Sequence, residues 1–279
     1  MLLFKKIKLL ILSCIVGTGF AGCSSSEELK SDIEDPVEIL NFAKTVNKFE
    51  SLHNNITTNI KGILNNQQFD TSIVFDSLYS SEQQKNVLKT TVSISENEDK
   101  SFIYFIKEGD IPYRYINKDN NWSKEQLSLE EFNNVLIPFS EPMYFDELIA
   151  IGNVFNVIES DSIYTLKGQV KVSDIEETLK YIGILNMLSI INLDLDDIDK
   201  EINVDLKLDI EKGTGYLKNF NINVIEEENE SIAKTIVDLI NLPLDSFKLE
   251  IINFEVDLNF DQANTVDNIE IPQEILDIK

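Results

Sequence analysis

The chain has 279 residues, 43% of them hydrophobic, and a formal charge of −25 at neutral pH. That apolar content excludes wholesale disorder, and the negative surface repels nucleic-acid phosphates and anionic headgroups, so no nucleic acid is expected as a partner. Two cysteines and one histidine are too few side chains for a four-ligand, structural Cys/His zinc centre.

Lys5, Lys6 and Lys8 precede an apolar run from Leu9 to Phe20, the layout of a secretory signal peptide. The run is too short for a permanent span, which takes roughly 20 residues. Phe20-Ala21-Gly22-Cys23 resembles the bacterial lipobox, with Phe20 where that motif usually has Leu. The resemblance implies a signal peptide over 1–22, cleavage after Gly22, and a diacylglyceryl, palmitate-type modification of the Cys23 thiol. Two acyl chains at about 0.8 kcal/mol per buried CH₂ hold a protein stably, which places the mature chain on the outer face of the cell membrane.

Cleavage removes three of the 24 basic residues and none of the 49 acids, moving the formal charge from −25 to −28. Cys14 leaves with the leader and Cys23 is consumed by lipid, so no disulfide is expected. Arg114 is the only arginine among the basic residues, beside abundant Ile and Asn. That bias points to an AT-rich genome and, with the lipobox, to a low-GC Gram-positive bacterium.

Residues 23–34 are polar and lack apolar periodicity, reading as a flexible tether. Asp35-Pro36-Val37-Glu38 is a helix start, and Val37, Leu40, Ala43, Val46 and Phe49 continue it to about residue 52. From Asn54 the period becomes two, through Ile56–Ile60, Phe69–Phe75 and Leu88–Ile94. Phe102–Ile106 is apolar at every position, which predicts a strand covered on both faces. Tyr113–Asn117 and Trp122–Lys124 flank a tight turn, giving an antiparallel meander.

Ser128-Leu-Glu-Glu131 is a capping box, and a second short helix covers about 143–150. Val154–Ile158 and Ile163–Val170 form a hairpin, and Ser173-Asp-Ile-Glu176 opens a helix to about residue 190. Ile202–Ile210 and Leu217–Ile225 meet across Gly213-Thr-Gly215, and a helix is expected over 231–242. A long strand beginning at Phe247 breaks phase between Ile251 and Phe254, predicting a β-bulge. Residues 35–279 thus read as one α+β domain.

No residue set announces catalysis, and neither an enzyme activity nor a cofactor is expected. His53 sits at a helix-to-strand junction with no nucleophile motif nearby and reads as structural. Asp194-Leu-Asp196-Asp197-Ile-Asp199 has the oxygen ligands calcium takes, but lacks the glycine and terminal glutamate of an EF-hand loop. It reads as a solvated loop, and no metal site is assigned. Arg114, between Tyr113 and Tyr115, reads as an exposed strand residue paired with an acid.

The lipobox, the tether, the first helix at Asp35-Pro36, the long antiparallel meander with interrupting helices and a closing strand ending in Ile271-Pro272 together resemble the LolA-like superfamily of lipoproteins, including LppX/LprG-type proteins. The Tyr115…Trp122-Ser-Lys124 hairpin is similar to one in uncharacterised members. The resemblance implies a strongly curved antiparallel sheet, a half-barrel, with helices in its concavity and a lipid or other apolar ligand between them. The alternative is a structural or partner-binding envelope lipoprotein with a packed core. The binding residues, like any protein partner, are left unassigned.

Overall fold

The computed structural model describes residues 35–94, 97–118, 121–136, 145–181, 201–228, 230, 249–266 and 268–278. Cys23 and the tether, the acidic run 194–199 and the helix expected over 231–242 lie outside them. The structure is one open antiparallel sheet of eleven strands with short helices.

Helix α1 (Pro36–Val46) starts where its sequence requires, with the Asp35 carboxylate accepting a hydrogen bond from the Val37 amide at 2.8 Å. It ends six residues before the expected residue 52, because Asn47 caps it. The Asn47 backbone N–H still donates to the Ala43 carbonyl, but the Asn47 side chain turns toward the Gly213–Gly215 turn. The chain is then free to enter β1 (Ser51–Leu64).

Strands β2 (Gln67–Ser80), β3 (Lys85–Ile94), β4 (Asn97–Glu108), β5 (Ile111–Lys118) and β6 (Asn121–Gln126) follow as a continuous meander. The second meander runs β7 (Asn156–Glu159), β8 (Ile163–Lys171), β9 (Asn203–Glu211), β10 (Leu217–Val224) and β11 (Leu249–Asp261). Pairing of β1 with β11 joins them, giving the order β6-β5-β4-β3-β2-β1-β11-β10-β9-β8-β7. The free edges β6 and β7 are consecutive in the chain, linked through α2 (Leu129–Leu136) and α3 (Phe145–Ala150).

Register makes the inner face apolar in rows. Val157, Leu166, Leu208, Phe220, Leu258, Ile56 and Phe75 stand opposite one another across seven strands, β7 to β2. Helix α1 (Ile39, Leu40, Ala43) and α3 (Phe145, Leu148) cover this face, and all five side chains are fully buried in one cluster with it. The outward neighbours of this row on β8, β9, β10, β11 and β1 are polar, as period-two alternation demands. Asn219 donates to Asp257 and Asn259, and Asn221 to Glu255, across β10 and β11.

The expected bulge is present. Lys61 stands opposite Asn253 and Gly62 opposite Ile251, which leaves Ile252 as the extra, exposed residue of β11. The capping box is present too, with Ser128 N–H donating to Glu131 at 2.7 Å and Glu131 N–H to the Ser128 hydroxyl at 3.1 Å.

Two further expectations are corrected. Ser173 does not cap the next helix, because Val172–Asp174 closes as its own 3₁₀ turn, with the Lys171 amide donating to Asp174. Helix α4 (Glu176–Tyr181) begins later, and a carboxylate from α3 caps it. Glu147 accepts from the amides of Glu177 at 3.1 Å and Thr178 at 2.7 Å, where the helix dipole favours an anion. The Ile271-Pro272 end does not close a strand. Strand β11 stops at Asp261, and 268–278, with the one-turn helix α5 (Gln273–Leu276), crosses to the outer face.

Candidate functional site

Strand β4 is apolar on both faces, and each face has its own cover. On the inner side Ile103 and Phe105 pack against Leu127 and Phe132, the latter from α2. On the outer side Tyr104, Ile106 and Tyr115 pack against Ile275, with Ile271, Ile278 and Trp122 around them. The Tyr104 and Trp122 rings lie 5.7 Å apart. The Tyr115…Trp122-Ser-Lys124 hairpin therefore has a structural use: it forms the seat of the C-terminal segment.

Beside that seat the Tyr115 hydroxyl donates to Glu108. Lys124, directly opposite Tyr115 in the register, reaches both Glu108 oxygens at 3.0 and 3.1 Å and lies 4.2 Å from the Tyr113 ring. Burial pushes the Glu108 carboxyl up, but the hydrogen bonds from Tyr115 and Lys124 outweigh it and hold it below the ordinary carboxylate range. Burial, then donation to Glu108, raises the Tyr115 hydroxyl, and hydrogen bonding to Tyr115 and Glu108 raises Lys124.

The sign of the pH dependence follows. A depressed carboxyl contributes stability that is present above its unfolded pKa and lost as pH falls through the folded one. The raised tyrosine and lysine contribute below their ordinary values of 10.0 and 10.5 and lose it as pH rises through the folded ones. Glu108→Gln is therefore expected to be less stable than wild type by a constant margin from neutral pH to about pH 6, with the margin shrinking toward about pH 3. Urea unfolding of both proteins across that range measures it; a margin that widens in acid contradicts the assignment.

A cleft of about 370 Å³ opens beside this segment, lined by Lys85, Ile106, Ile269, Glu270, Ile271 and Leu276. Its cation is already engaged, because Lys85 donates to the Ile269 carbonyl at 2.9 Å while Gln83 accepts from the Ile269 amide at 3.0 Å. The cleft is the seam between segment and sheet.

His53 faces outward on β1, half-buried, with Nε2 3.4 Å from Asp76, which also binds Lys89 at 3.2 Å. Asp261, its register partner on β11, is raised by burial, with Lys218 and His53 opposing. His53 thus stands within β1 among charged side chains on the outer face, past the helix-to-strand junction where its sequence context put it. Arg114 is ion-paired with Glu125 on β6, as its acidic surround implied, but it is half-buried opposite Phe105 and not exposed. Among the described residues no three His, Cys, Asp or Glu side chains group as a metal site.

The inner face holds what the sequence did not single out. Amid its apolar rows, β1 to β3 carry buried polar side chains at Asn54, Thr58, Ser77 and Asn86. Alternation placed Thr58 inside, but Asn54 read only as the residue where the strand begins. Ser77 donates to Asn86 at 2.9 Å, whereas the Asn54 amide nitrogen and the Thr58 hydroxyl are buried with no hydrogen-bond partner among the described residues. This face is the candidate site.

No helix among the described residues is long and apolar enough to cross a membrane. No family model and no curated protein matches the chain. Among solved structures it is similar to a DUF1329 family protein from Desulfovibrio piger, at 4% identity over 86% of this chain and 96% of that one, with a TM-score of 0.22. That distance transfers neither fold detail nor function, and the chain's own inner face carries the reading.

Proposed function

We propose that the chain is a non-catalytic, LolA-like lipoprotein, anchored through Cys23, that binds or carries a lipid or other apolar ligand between the sheet and its helices. One observation supports this most: an open sheet whose inner face is apolar across seven strands yet includes buried polar atoms with no partner among the described residues. Apolar rows accept alkyl chains for burial alone, at about 25 cal/mol per Å². Isolated polar atoms in an apolar wall are how binding sites orient a ligand. The anchor would hold the domain beside the membrane from which such a ligand comes.

Mass spectrometry of the protein purified from membranes, under native and then denaturing conditions, tests both halves. The expected result is a diacylglyceryl mass on Cys23 at the mature N-terminus and a second, non-covalent lipid that denaturation releases. A protein that carries the anchor but never a released lipid, in any expression host, defeats the carrier reading. It would favour the envelope protein with a packed core, which the sealed cluster of Ile39, Leu40, Phe145 and Leu148 also fits.

A further inference from the structure

Asn54 and Thr58 are 1% and 2% exposed, on one face of β1, four residues apart with Ile56 between them. Four residues of strand span roughly 13 Å, so these are two places and not one. Asn54 is the richer of the two. Its register neighbours are Phe260 on β11 and Ser77 on β2, and Ser77 is bonded to Asn86 one strand further. Ser77 and Asn86 are themselves fully buried. Three uncharged polar side chains thus meet at one spot in an apolar wall, with the Asn54 amide donor unused among the described residues.

A buried donor without an acceptor costs about 1–3 kcal/mol, a large share of a protein's net stability. No described residue supplies that acceptor, and one arriving from outside the chain would remove the cost. The charge of that acceptor can be read from the surroundings. Phe260, Ser77, Leu52 and Ile56 carry none, and the next cation along the Asn86 row, Arg114, lies beyond Phe105 and is bound to Glu125. A carboxylate or phosphate at Asn54 would be a buried ion without a counter-ion among the described residues, which costs several kcal/mol. An uncharged carbonyl oxygen needs only the one donor that is present.

We propose that Asn54, beside the Ser77–Asn86 pair, binds the uncharged carbonyl end, an ester or amide, of the apolar ligand. This rests on the reading that the inner face binds such a ligand at all. The ligand class is then a neutral acyl ester or acyl amide, distinct from a free fatty acid or an anionic phospholipid. The alkyl chain would run along the Ile56–Phe75 row, away from Asn54.

Three radiolabelled probes of equal chain length separate the possibilities: hexadecane, methyl hexadecanoate and hexadecanoate, partitioned from detergent micelles into the delipidated full-length protein. Wild type is expected to prefer the methyl ester about ten-fold over hexadecane, the equivalent of one well-made buried hydrogen bond, and to prefer it over hexadecanoate. Asn54→Leu keeps the size, removes the donor, and should bring the ester down to hexadecane. Thr58→Val also removes an unpartnered group and should leave the ester preference intact. Equal ester and hexadecane binding by wild type, or hexadecanoate binding as tightly as the ester, overturns the proposal without any variant. Binding of none of the three by wild type instead removes the carrier reading beneath it.

Discussion

Gly62→Ala is expected to destabilise the protein by about 3 kcal/mol, lowering Tm by roughly 6–12 °C for a domain of this size. Gly62 is buried at the bulge, where β11 fits Ile252 in as an extra residue and its backbone swings toward β1. A Cβ at residue 62 would stand 2.4 Å from the Glu250 carbonyl oxygen and 2.8 Å from two atoms of the Phe69 ring. The ring is a half-buried side chain and can turn. The carbonyl belongs to the neighbouring strand, and moving it means undoing β1–β11 pairing, the seam that unites the two meanders. Gly213→Ala is the control, since a Cβ there meets nothing within 4 Å. Urea unfolding of the two variants decides the matter. A Gly62→Ala loss within about 0.5 kcal/mol of the control would mean that the bulge is soft.

The features legible from sequence are those written locally. Alternation at Ile202–Ile210 has one solution, a strand with one buried face, and the phase break after Ile251 has one cheap solution, an extra residue. Asp35 and Ser128 carry their helix starts within four residues. Phe102–Ile106 announced cover on both faces but not its source, because Ile275 comes from the far end of the chain. The same distance hid the α4 cap, where Glu147 reaches amides thirty residues away and no spacing rule connects them. Asn54 escaped for a different reason. An asparagine at a strand start is ordinary turn chemistry, and only the β1–β2 register, which sets it against Ser77 on the inner face, gives it another meaning. The site was thus the part least open to pattern, since a polar residue inside breaks the pattern that locates everything else.

Asn47→Ala is expected to cost about 3–4 kcal/mol, from two buried backbone groups left without partners. Asn47 is fully buried at the end of α1. Its side-chain NH₂ donates to the carbonyls of Ala43 at 2.6 Å and Gly215 at 2.9 Å, and its oxygen accepts from the Leu217 amide at 2.9 Å. One amide thus stops the helix and fixes the β9–β10 turn beneath it. The contact is close, because Gly215 has φ +75° and a Cβ there would meet the Phe42 ring of α1 at 2.7 Å. Alanine frees the Gly215 carbonyl and the Leu217 amide in a place water does not reach. Asn47→Asp separates these roles at constant shape. It keeps the acceptor for Leu217 but sets an oxygen against two carbonyl oxygens, so the new carboxyl should titrate above the ordinary range. The Asn47→Asp variant should therefore be at least as weakened as the alanine variant at neutral pH, and recover as acid protonates the carboxyl and restores one donor. Hydrogen exchange locates the defect: the Leu217 amide should lose protection before the centre of β10 does. Uniform loss along β10 would mean that the turn is held by the strands and not by Asn47.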